Sequence, residues 1–223
     1  MDVNSAGAAV YAYFWQALVD LLFQDKVPEA QWTGDAALDD NSRFMNTVFQ
    51  VMADPRNPFW DDPATPDLRE SRDDVLAAAL QRGARDGIKA LGANMRAWRW
   101  GAIHRATFRN QTFGNSGISL IERIFNRGPV EVGGGMQQVV SSDWSLEKPF
   151  AVTVISSMRQ IVDLANLGAS QVINATGQSG HAYNRHYDDM IGSWARVRYR
   201  PTYWNAADLA ASPSDRLVLT PSG

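Results

Sequence analysis

The segment Thr176-Gly-Gln-Ser-Gly-His181 decides how this chain is interpreted, together with the residues that follow it. After it come His186-Tyr-Asp-Asp189, Trp194 and Tyr199-Arg-Pro201, in that order. Two glycines so close together predict a tight loop, because glycine reaches backbone conformations that other residues adopt only under strain. We therefore expect a glycine loop, held by hydrogen bonds from its polar side chains and followed by a short helix over residues 187–196.

Ser179 and the polar residues after it contain the components of a hydrolytic site. A serine, a base (His181 or His186) and an orienting acid (Asp188 or Asp189) make up a catalytic triad. A nucleophile elbow has the order G-x-S-x-G, however, whereas here a glycine directly follows the serine. Hydrogen bonds that hold the loop and tie it to the helix are the better interpretation, and an independent serine hydrolase is the weakest one.

Metal binding is the second chemistry that these side chains suggest. Imidazole and carboxylate groups bind zinc, but the spacing of these histidines and aspartates matches no zinc pattern such as H-E-x-x-H. An acidic cluster nearer the N-terminus has the composition of a calcium loop; its members are Asp54, Asp61, Asp62 and Asp67. The cluster lacks the D-x-D-x-D-G order and the final bidentate glutamate of such a loop. We predict no catalytic, cofactor-binding or metal-binding residue in this chain.

Three further patterns lie upstream of the glycine loop. They are Trp98-Arg-Trp-Gly-x-x-His104-x-x-x-Phe108, Asn126-Arg-Gly-Pro-Val130 with the glycine run Gly133-Gly-Gly135, and Arg159-Gln-Ile-Val-Asp-Leu164. With the glycine loop they resemble, in the same order, the C-terminal part of the large chain of penicillin acylases. The resemblance covers essentially the whole chain.

Penicillin acylases are N-terminal-nucleophile hydrolases of αββα architecture, and the resemblance implies the same for a parent enzyme of this chain. Their precursor cuts itself, and the new N-terminal serine attacks an amide with its own α-amino group as the base. No organic cofactor is implied. The oxyanion-hole asparagine, the calcium-binding acids and most of the acyl pocket lie upstream of the matched region. This chain begins with Met1-Asp2, and Ser5 is better explained as the start of a helix than as a nucleophile.

These implications lead to two alternatives. In the first, the chain is the C-terminal portion of an amidohydrolase, inactive alone, whose partner is the rest of the parent acylase. The parent would cleave the linear amide of a β-lactam side chain, an acyl-homoserine lactone or a related acylated amine. In the second, the chain is a self-standing binding or scaffold module that is derived from the same family and has lost catalysis.

The resemblance also marks a set of signature residues for which we expect structural roles. They are Trp100, Gly101, His104, Arg159, Asp163, Gly177, Gln178, Ser179, Gly180, His186, Tyr187 and Asp188. Among them, His104 is expected to be a hydrogen-bonded core residue rather than a general base. Arg159 and Asp163 are expected on one side of a strand, because strand residues separated by an even number of positions share a face. Gly180→Val should destabilise the fold if that glycine has a positive φ or a packed backbone neighbour.

Composition excludes several other classes of protein. The formal net charge of −3, with basic residues scattered along the chain, gives no basic patch for nucleic acid. No run approaches the roughly 18 consecutive apolar residues of a membrane span, and residues 1–3 lack the start of a signal peptide. Cysteine is absent, which excludes disulfides but leaves the compartment open. Members of the resembled family are commonly exported, which is compatible with a periplasmic or secreted parent, but the sequence itself leaves the localisation unknown.

Periodicity predicts an α+β fold with helices first and strands second, as in the C-terminal part of an αββα enzyme. Residues 1–97 should be mainly helical, 98–204 strand-rich, and 205–223 a peripheral tail. The predicted helices are 5–23, 41–53 and 65–91, the last with either Thr65 or Asp67 as its cap. The predicted strands are 106–108, 130–132, 137–140, 151–155, 159–163 and 171–173. Gly83 and Gly87 indicate close approach of another backbone, and the glycine run at 133–135 a hairpin turn.

Self-association is the last expectation. If the chain is part of a larger enzyme, the apolar faces of the helix over 5–23 and of the strand over 151–155 would have evolved to pack against absent segments. Exposed apolar patches of this kind are uncommon on soluble monomers. We therefore expect the isolated chain to form a homo-oligomer, most simply a two-fold dimer.

Overall fold

The computed structural model describes residues 1–26, 37–136, 138–146, 148–211 and 219. Its architecture is α+β, with a helical first part followed by a strand-rich part, which confirms the predicted fold class. The chain divides into two compact units, residues 1–156 and residues 157–223. Each unit is described separately below.

The first unit contains the long helices and two small antiparallel sheets. Its elements are α1 (Ala6–Phe23), α2 (Ala37–Ala53), α3 (Arg72–Leu91), α4 (Trp100–Ile103), β1 (Arg105–Phe108), α5 (Ser119–Phe125), β2 (Arg127–Glu131), β3 (Ser142–Asp143) and β4 (Val154–Ile155). Single 3-10 turns lie at Pro58–Trp60 and Met95–Ala97.

Helix α1 is the centre of the first unit. It begins where the sequence predicts, because the Ser5 hydroxyl accepts a hydrogen bond from the Ala8 amide at 3.0 Å and so caps the helix. Ten of its residues are buried. Its one carboxylate, Asp20, accepts a hydrogen bond from Arg82 of α3 at 2.7 Å. By length and composition α1 could cross a membrane, but core helices of soluble proteins meet the same criterion, and half of this helix is buried inside the structure.

Helices α1 and α3 approach each other at the two glycines that the sequence singled out. A Cβ atom added to Gly83 would lie 2.7 Å from the backbone carbon and oxygen of Tyr13. A Cβ atom added to Gly87 would overlap the Trp98 ring. The expected close approach is thus confirmed at Gly83, and at Gly87 the neighbour is an aromatic side chain. Both glycines are buried in the contact between the helices.

The start of α3 corrects a prediction. The helix was expected to begin near Thr65, but it begins at Arg72. A capping box explains the difference, because the Ser71 hydroxyl and the Asp74 carboxylate each accept a hydrogen bond from the other's backbone amide. Thr65 instead donates a hydrogen bond to the Glu70 carboxylate at 2.7 Å. The C-terminal end of the helix at Gly92 agrees with the prediction.

The strands of the first unit pair differently from the expected hairpin. Strand β2 pairs with β1, and β3 pairs with β4. The glycine run at 133–135 therefore does not join two strands that pair with each other, and the predicted hairpin turn there is wrong. Gly134 has a φ of 83° and donates a backbone hydrogen bond to the Met1 carbonyl at 2.7 Å. The predicted strand over 151–155 is reduced to β4. Of the predicted strand over 137–140, residues 138–140 form a bend, and residue 137 lies outside the described residues.

The second unit is built on one antiparallel sheet with the order β5-β6-β7. Its elements are β5 (Met158–Ile161), β6 (Gln171–Asn174), α6 (Ile191–Ala195), β7 (Arg200–Pro201) and α7 (Ala206–Ala211), with a 3-10 turn at Leu167–Ala169. The helix expected after the glycine loop is present but shorter than predicted. In the tail, residues 206–211 are helical, and beyond them only residue 219 is described.

Candidate functional site

His104 is fully buried and ties several segments of the first unit together. Its ring stacks on Trp100 with 4.2 Å between the ring centroids. Its Nδ1 lies 2.7 Å from the Phe150 carbonyl oxygen, which can only accept, so Nδ1 carries the hydrogen. Its Nε2 lies 3.1 Å from the Ser142 hydroxyl. In this structure His104 is thus a hydrogen-bonded residue of the core.

Burial lowers the pKa of His104 from 6.5 to about 4, against the opposing effect of its two hydrogen bonds. The ring is therefore neutral at neutral pH. The Ser142 hydroxyl also lies 2.7 Å from the Gly133 carbonyl, so its single hydrogen must serve either that oxygen or Nε2 of the neutral ring. Because the ring has no exposed atom, it is unsuited to exchange protons with a substrate.

The tryptophan and the glycine of the same pattern also have packing roles. The Trp100 indole donates a hydrogen bond to the Gly134 carbonyl at 2.9 Å, and the residue is completely buried. Gly101 donates its amide hydrogen to the Val3 carbonyl at 2.8 Å. A Cβ atom added to Gly101 would overlap the Val3 side chain and lie 3.0 Å from Cβ of Glu131. A residue larger than glycine would thus disturb this contact.

The glycine loop of the second unit is held by backbone hydrogen bonds. The Ser179 amide donates to the His186 carbonyl at 3.0 Å, and the Met190 amide donates to the Thr176 carbonyl at 2.8 Å. The Tyr187 amide donates to the Asn184 carbonyl at 3.0 Å. These bonds tie the loop to the segment that leads into α6, as the sequence predicted, although backbone groups rather than the Gln178 and Ser179 side chains make them.

The glycine that this loop requires is Gly177, and the expectation for Gly180 is corrected. A Cβ atom added to Gly177 would overlap the carbonyl oxygen of His186. Gly180 has no positive φ, and a Cβ atom added there would meet nothing within 4 Å. The condition on which Gly180→Val was expected to destabilise the fold is therefore not met.

The polar side chains around Ser179 are not arranged as a catalytic triad. His186 Nδ1 lies 3.0 Å from the Asp189 carboxylate, and its Nε2 accepts a hydrogen bond from the Arg185 guanidinium at 2.9 Å. The nitrogen that would act as a base is thus already occupied. The Ser179 hydroxyl accepts from the His181 amide at 3.1 Å. In this geometry the Ser179 and His186 side chains hydrogen-bond to other residues rather than to each other.

Asp189 is the shared acid of the cluster, with Asp188 beside it. Hydrogen bonds from His186, the largest effect, and from Arg200 hold the pKa of the Asp189 carboxyl below its usual range. The Asp188 carbonyl accepts the Ile191 amide at 3.2 Å at the start of α6. The described residues contain no group of three or more His, Cys, Asp or Glu that could hold a metal ion.

Arg159 and Asp163 have separate roles in the second unit. The Arg159 guanidinium lies 4.2 Å from the centre of the Trp194 ring and donates a hydrogen bond to the Trp194 carbonyl at 2.9 Å. Asp163 lies beyond the end of β5, and its carboxylate accepts from the Ala165 and Asn166 amides at 2.9 and 3.0 Å. The pair was expected on one strand face, but the strand ends at Ile161, so the even spacing does not apply.

Several residues that complete these arrangements had no role assigned from the sequence; they are Ser142, Phe150, Asn184, Met190 and Arg200. Phe150 has a φ of 68°, which is uncommon for a residue other than glycine, and in this conformation its carbonyl meets His104. No local pattern marks such partners. The Tyr199-Arg-Pro201 motif could have pointed to Arg200, which lies beside the glycine loop.

Comparison with known proteins agrees with this description. The sequence profile of the penicillin amidase family matches residues 1–211. The acyl-homoserine lactone acylase QuiP of Pseudomonas fluorescens Pf0-1 is 31% identical over 202 residues, which are 89% of this chain and 23% of that protein. The proteins of the same name from Pseudomonas putida and Pseudomonas aeruginosa are 28% and 26% identical, over 87% and 100% of this chain and 24% and 28% of their own lengths.

The chain spans about a quarter of the length of these relatives. The signature motifs resemble those of penicillin acylases, and the match of the family profile over nearly the whole sequence confirms this resemblance. This chain belongs to the penicillin amidase family.

Proposed function

We propose that this chain is the C-terminal region of a penicillin acylase-type amidohydrolase that cleaves the linear amide of an acyl-homoserine lactone or a related acylated amine. The observation that carries the proposal is the similarity along nearly the whole chain to proteins named acyl-homoserine lactone acylase. That these relatives are about four times as long is consistent with a chain that forms one part of the enzyme.

In this proposal the remainder of the acylase supplies the reacting groups. An N-terminal serine with its own α-amino group as the base would attack the amide carbonyl. The described part of this chain offers no comparable pair, because His104 is buried and neutral and Nε2 of His186 is occupied by Arg185. Its contribution would be a packed framework against which the remainder of the enzyme folds.

The isolated chain should therefore have no amidase activity. We expect no release of homoserine lactone from decanoyl-homoserine lactone, measured by mass spectrometry with the purified 223-residue chain. Ser179→Ala is the matched control, because it removes the hydroxyl that the sequence offered as a nucleophile, while the backbone hydrogen bond from its amide to the His186 carbonyl remains. Turnover that survives repurification and disappears in Ser179→Ala would contradict the proposal and support a serine hydrolase.

The self-standing module remains the alternative function, and gene context separates the two. An upstream reading frame that is continuous with Met1 and encodes a serine at a processing junction would support the acylase region. In-frame stop codons directly before Met1 would contradict it and favour the module. Neither result depends on whether the chain folds or binds a ligand by itself.

An apolar cavity in the first unit supports the proposal that the isolated chain self-associates. The cavity has a volume of about 270 Å³ and is lined by aromatic and methionine side chains, among them Tyr11, Trp15 and Phe49. Phe49 is 62% exposed, and the buried Trp15 indole nitrogen has no hydrogen-bond partner among the described residues. An exposed aromatic side chain is unfavourable in water, and a buried indole N–H is unfavourable without an acceptor.

We expect sedimentation over a hundredfold concentration range to show a dimer that dissociates on dilution. Phe49→Ser should weaken the association by roughly tenfold, the effect of losing one buried aromatic contact. Leu80→Ser is the control, since Leu80 is 52% exposed but lies on α3 and does not line the cavity. A monomer at every concentration would show that the apolar cavity of the first unit does not cause self-association.

A further inference from the structure

A second cavity, of about 360 Å³, lies beside the glycine loop within the second unit. Its lining residues are Gln178, Ser179, Asn184, His186, Met190 and Arg200. Met190 is buried and supplies an apolar wall, while the other residues are polar. The cavity therefore combines one apolar wall with several hydrogen-bonding groups, so a ligand that fits it must be largely polar with a small apolar part.

The hydrogen-bonding groups that remain unused are mainly donors. The Arg200 guanidinium donates from Nη2 to Asp189 at 3.3 Å, which leaves Nε and Nη1 available. The Ser179 hydroxyl accepts one hydrogen bond, and its hydrogen is not used by any described residue. The Asn184 side-chain oxygen accepts the His186 amide, and its NH₂ group has no acceptor among the described residues. Gln178 is likewise exposed without a described side-chain partner.

The charges around the cavity select the kind of acceptor. In this geometry His186 contacts Asp189 through Nδ1 and accepts a hydrogen bond at Nε2 from Arg185. Arg200 carries the guanidinium that lines the cavity, and Asp189 partly offsets its charge. A single partly compensated cation with neutral amide and hydroxyl donors suits a singly charged carboxylate better than a doubly charged phosphate.

We propose that this cleft binds a small monocarboxylate, with its oxygens on Arg200 and on the Gln178 and Ser179 side chains and its hydrocarbon part against Met190. The site is independent of the amidase chemistry proposed above. It uses the glycine loop as a binding surface, whereas the hydrogen bonds already described explain only how that loop is held.

The test is an NMR titration of the ¹⁵N-labelled chain with sodium hexanoate, with sodium chloride keeping the ionic strength constant. We expect saturable shifts of the amide signals of residues 177–179 and of Arg200. Arg200→Gln should weaken binding by roughly tenfold or more, the effect of removing a charge-assisted hydrogen bond. Arg198→Gln should leave binding unchanged, because it removes the same charge from a nearby residue that does not line the cavity.

Other outcomes would overturn the proposal. If hexanoate bound the two arginine variants with equal affinity, its binding would depend only on the net charge of the chain and not on Arg200. Equal shifts with sodium phosphate would mean that the site does not select carboxylates. If Arg200→Gln fails to fold, Gln178→Ala decides the matter, since this exposed side chain has no described partner to lose. Hexanoate should bind that variant severalfold more weakly, and unchanged affinity would contradict the proposal.

Discussion

Gly177→Ala should lower the free energy of unfolding of the second unit by about 3 kcal/mol. This is the upper end of the usual cost of inserting an extra carbon atom into a well-packed site. The added Cβ would overlap the His186 carbonyl oxygen, and the carbonyl carbons of His186 and Tyr187 would each lie 2.8 Å away. These neighbours are backbone atoms, which cannot rotate aside as a side chain would. The same carbonyl also accepts the Ser179 amide, so moving it breaks a loop hydrogen bond.

Gly180→Ala is the matched control for this prediction. It adds the same methyl group three positions along the loop, where nothing lies within 4 Å. Urea unfolding of the two variants should therefore give free energies of unfolding that differ by most of the predicted amount, with Gly180→Ala within about 0.5 kcal/mol of the parent chain. Equal stabilities would show that the close contact at Gly177 relaxes without cost.

Acidification should destabilise the first unit through His104. Its pKa is 6.5 in model peptides and about 4 in the folded chain, so between these values the unfolded state binds a proton that the folded state does not. The free energy of unfolding then falls by about 1.4 kcal/mol for each pH unit below 6.5. This linkage costs no stability above pH 6.5 and lowers the free energy of unfolding progressively as the pH falls towards 4, by roughly 3 kcal/mol in total.

The measurement is the free energy of unfolding at a series of pH values from about 7 to about 5, where ordinary carboxylates remain ionised. His104→Gln should lower the stability at neutral pH but flatten its pH dependence, so the difference between the two proteins should shrink as the pH falls. His181→Gln is the control, because it removes an exposed histidine. If the parent chain and His104→Gln show the same slope, the His104 pKa is not depressed in the fold.

The sequence predicted the features that depend on local pattern. Ser5 could be predicted as the cap of α1, because its hydroxyl stands directly before a segment with helical spacing of apolar residues. The close packing at Gly83 could be predicted because small residues share one face of α3. The start of α3 was predicted too early, at Thr65 or Asp67, because Thr65 precedes a proline and Asp67 stands three residues before Glu70, and both are signals of a helix start. In the folded chain Ser71 and Asp74 form the capping box instead, and Glu70 accepts a hydrogen bond from Thr65.

The candidate sites were less predictable, because their partners are distant in sequence. Whether Gly177 or Gly180 is packed depends on where the His186 carbonyl lies, and this is fixed by the path of the chain between them. The state of His104 depends on Phe150, 46 residues away, whose backbone adopts a conformation that no motif signals. The signature motifs identified the family, whereas the contacts within each motif required the structure.

The ring packing around Phe150 gives this molecule an optical consequence. Phe150 meets Tyr13, Trp100 and Trp144 edge to face, with centroid distances of 4.7, 6.2 and 5.2 Å. Chromophores fixed at such angles produce a circular dichroism signal in the near ultraviolet, which vanishes when tertiary packing loosens even if helices persist. The intensity of that band therefore includes a contribution from the core of residues 1–156, which should fall when the rings around Phe150 lose their fixed packing against α1.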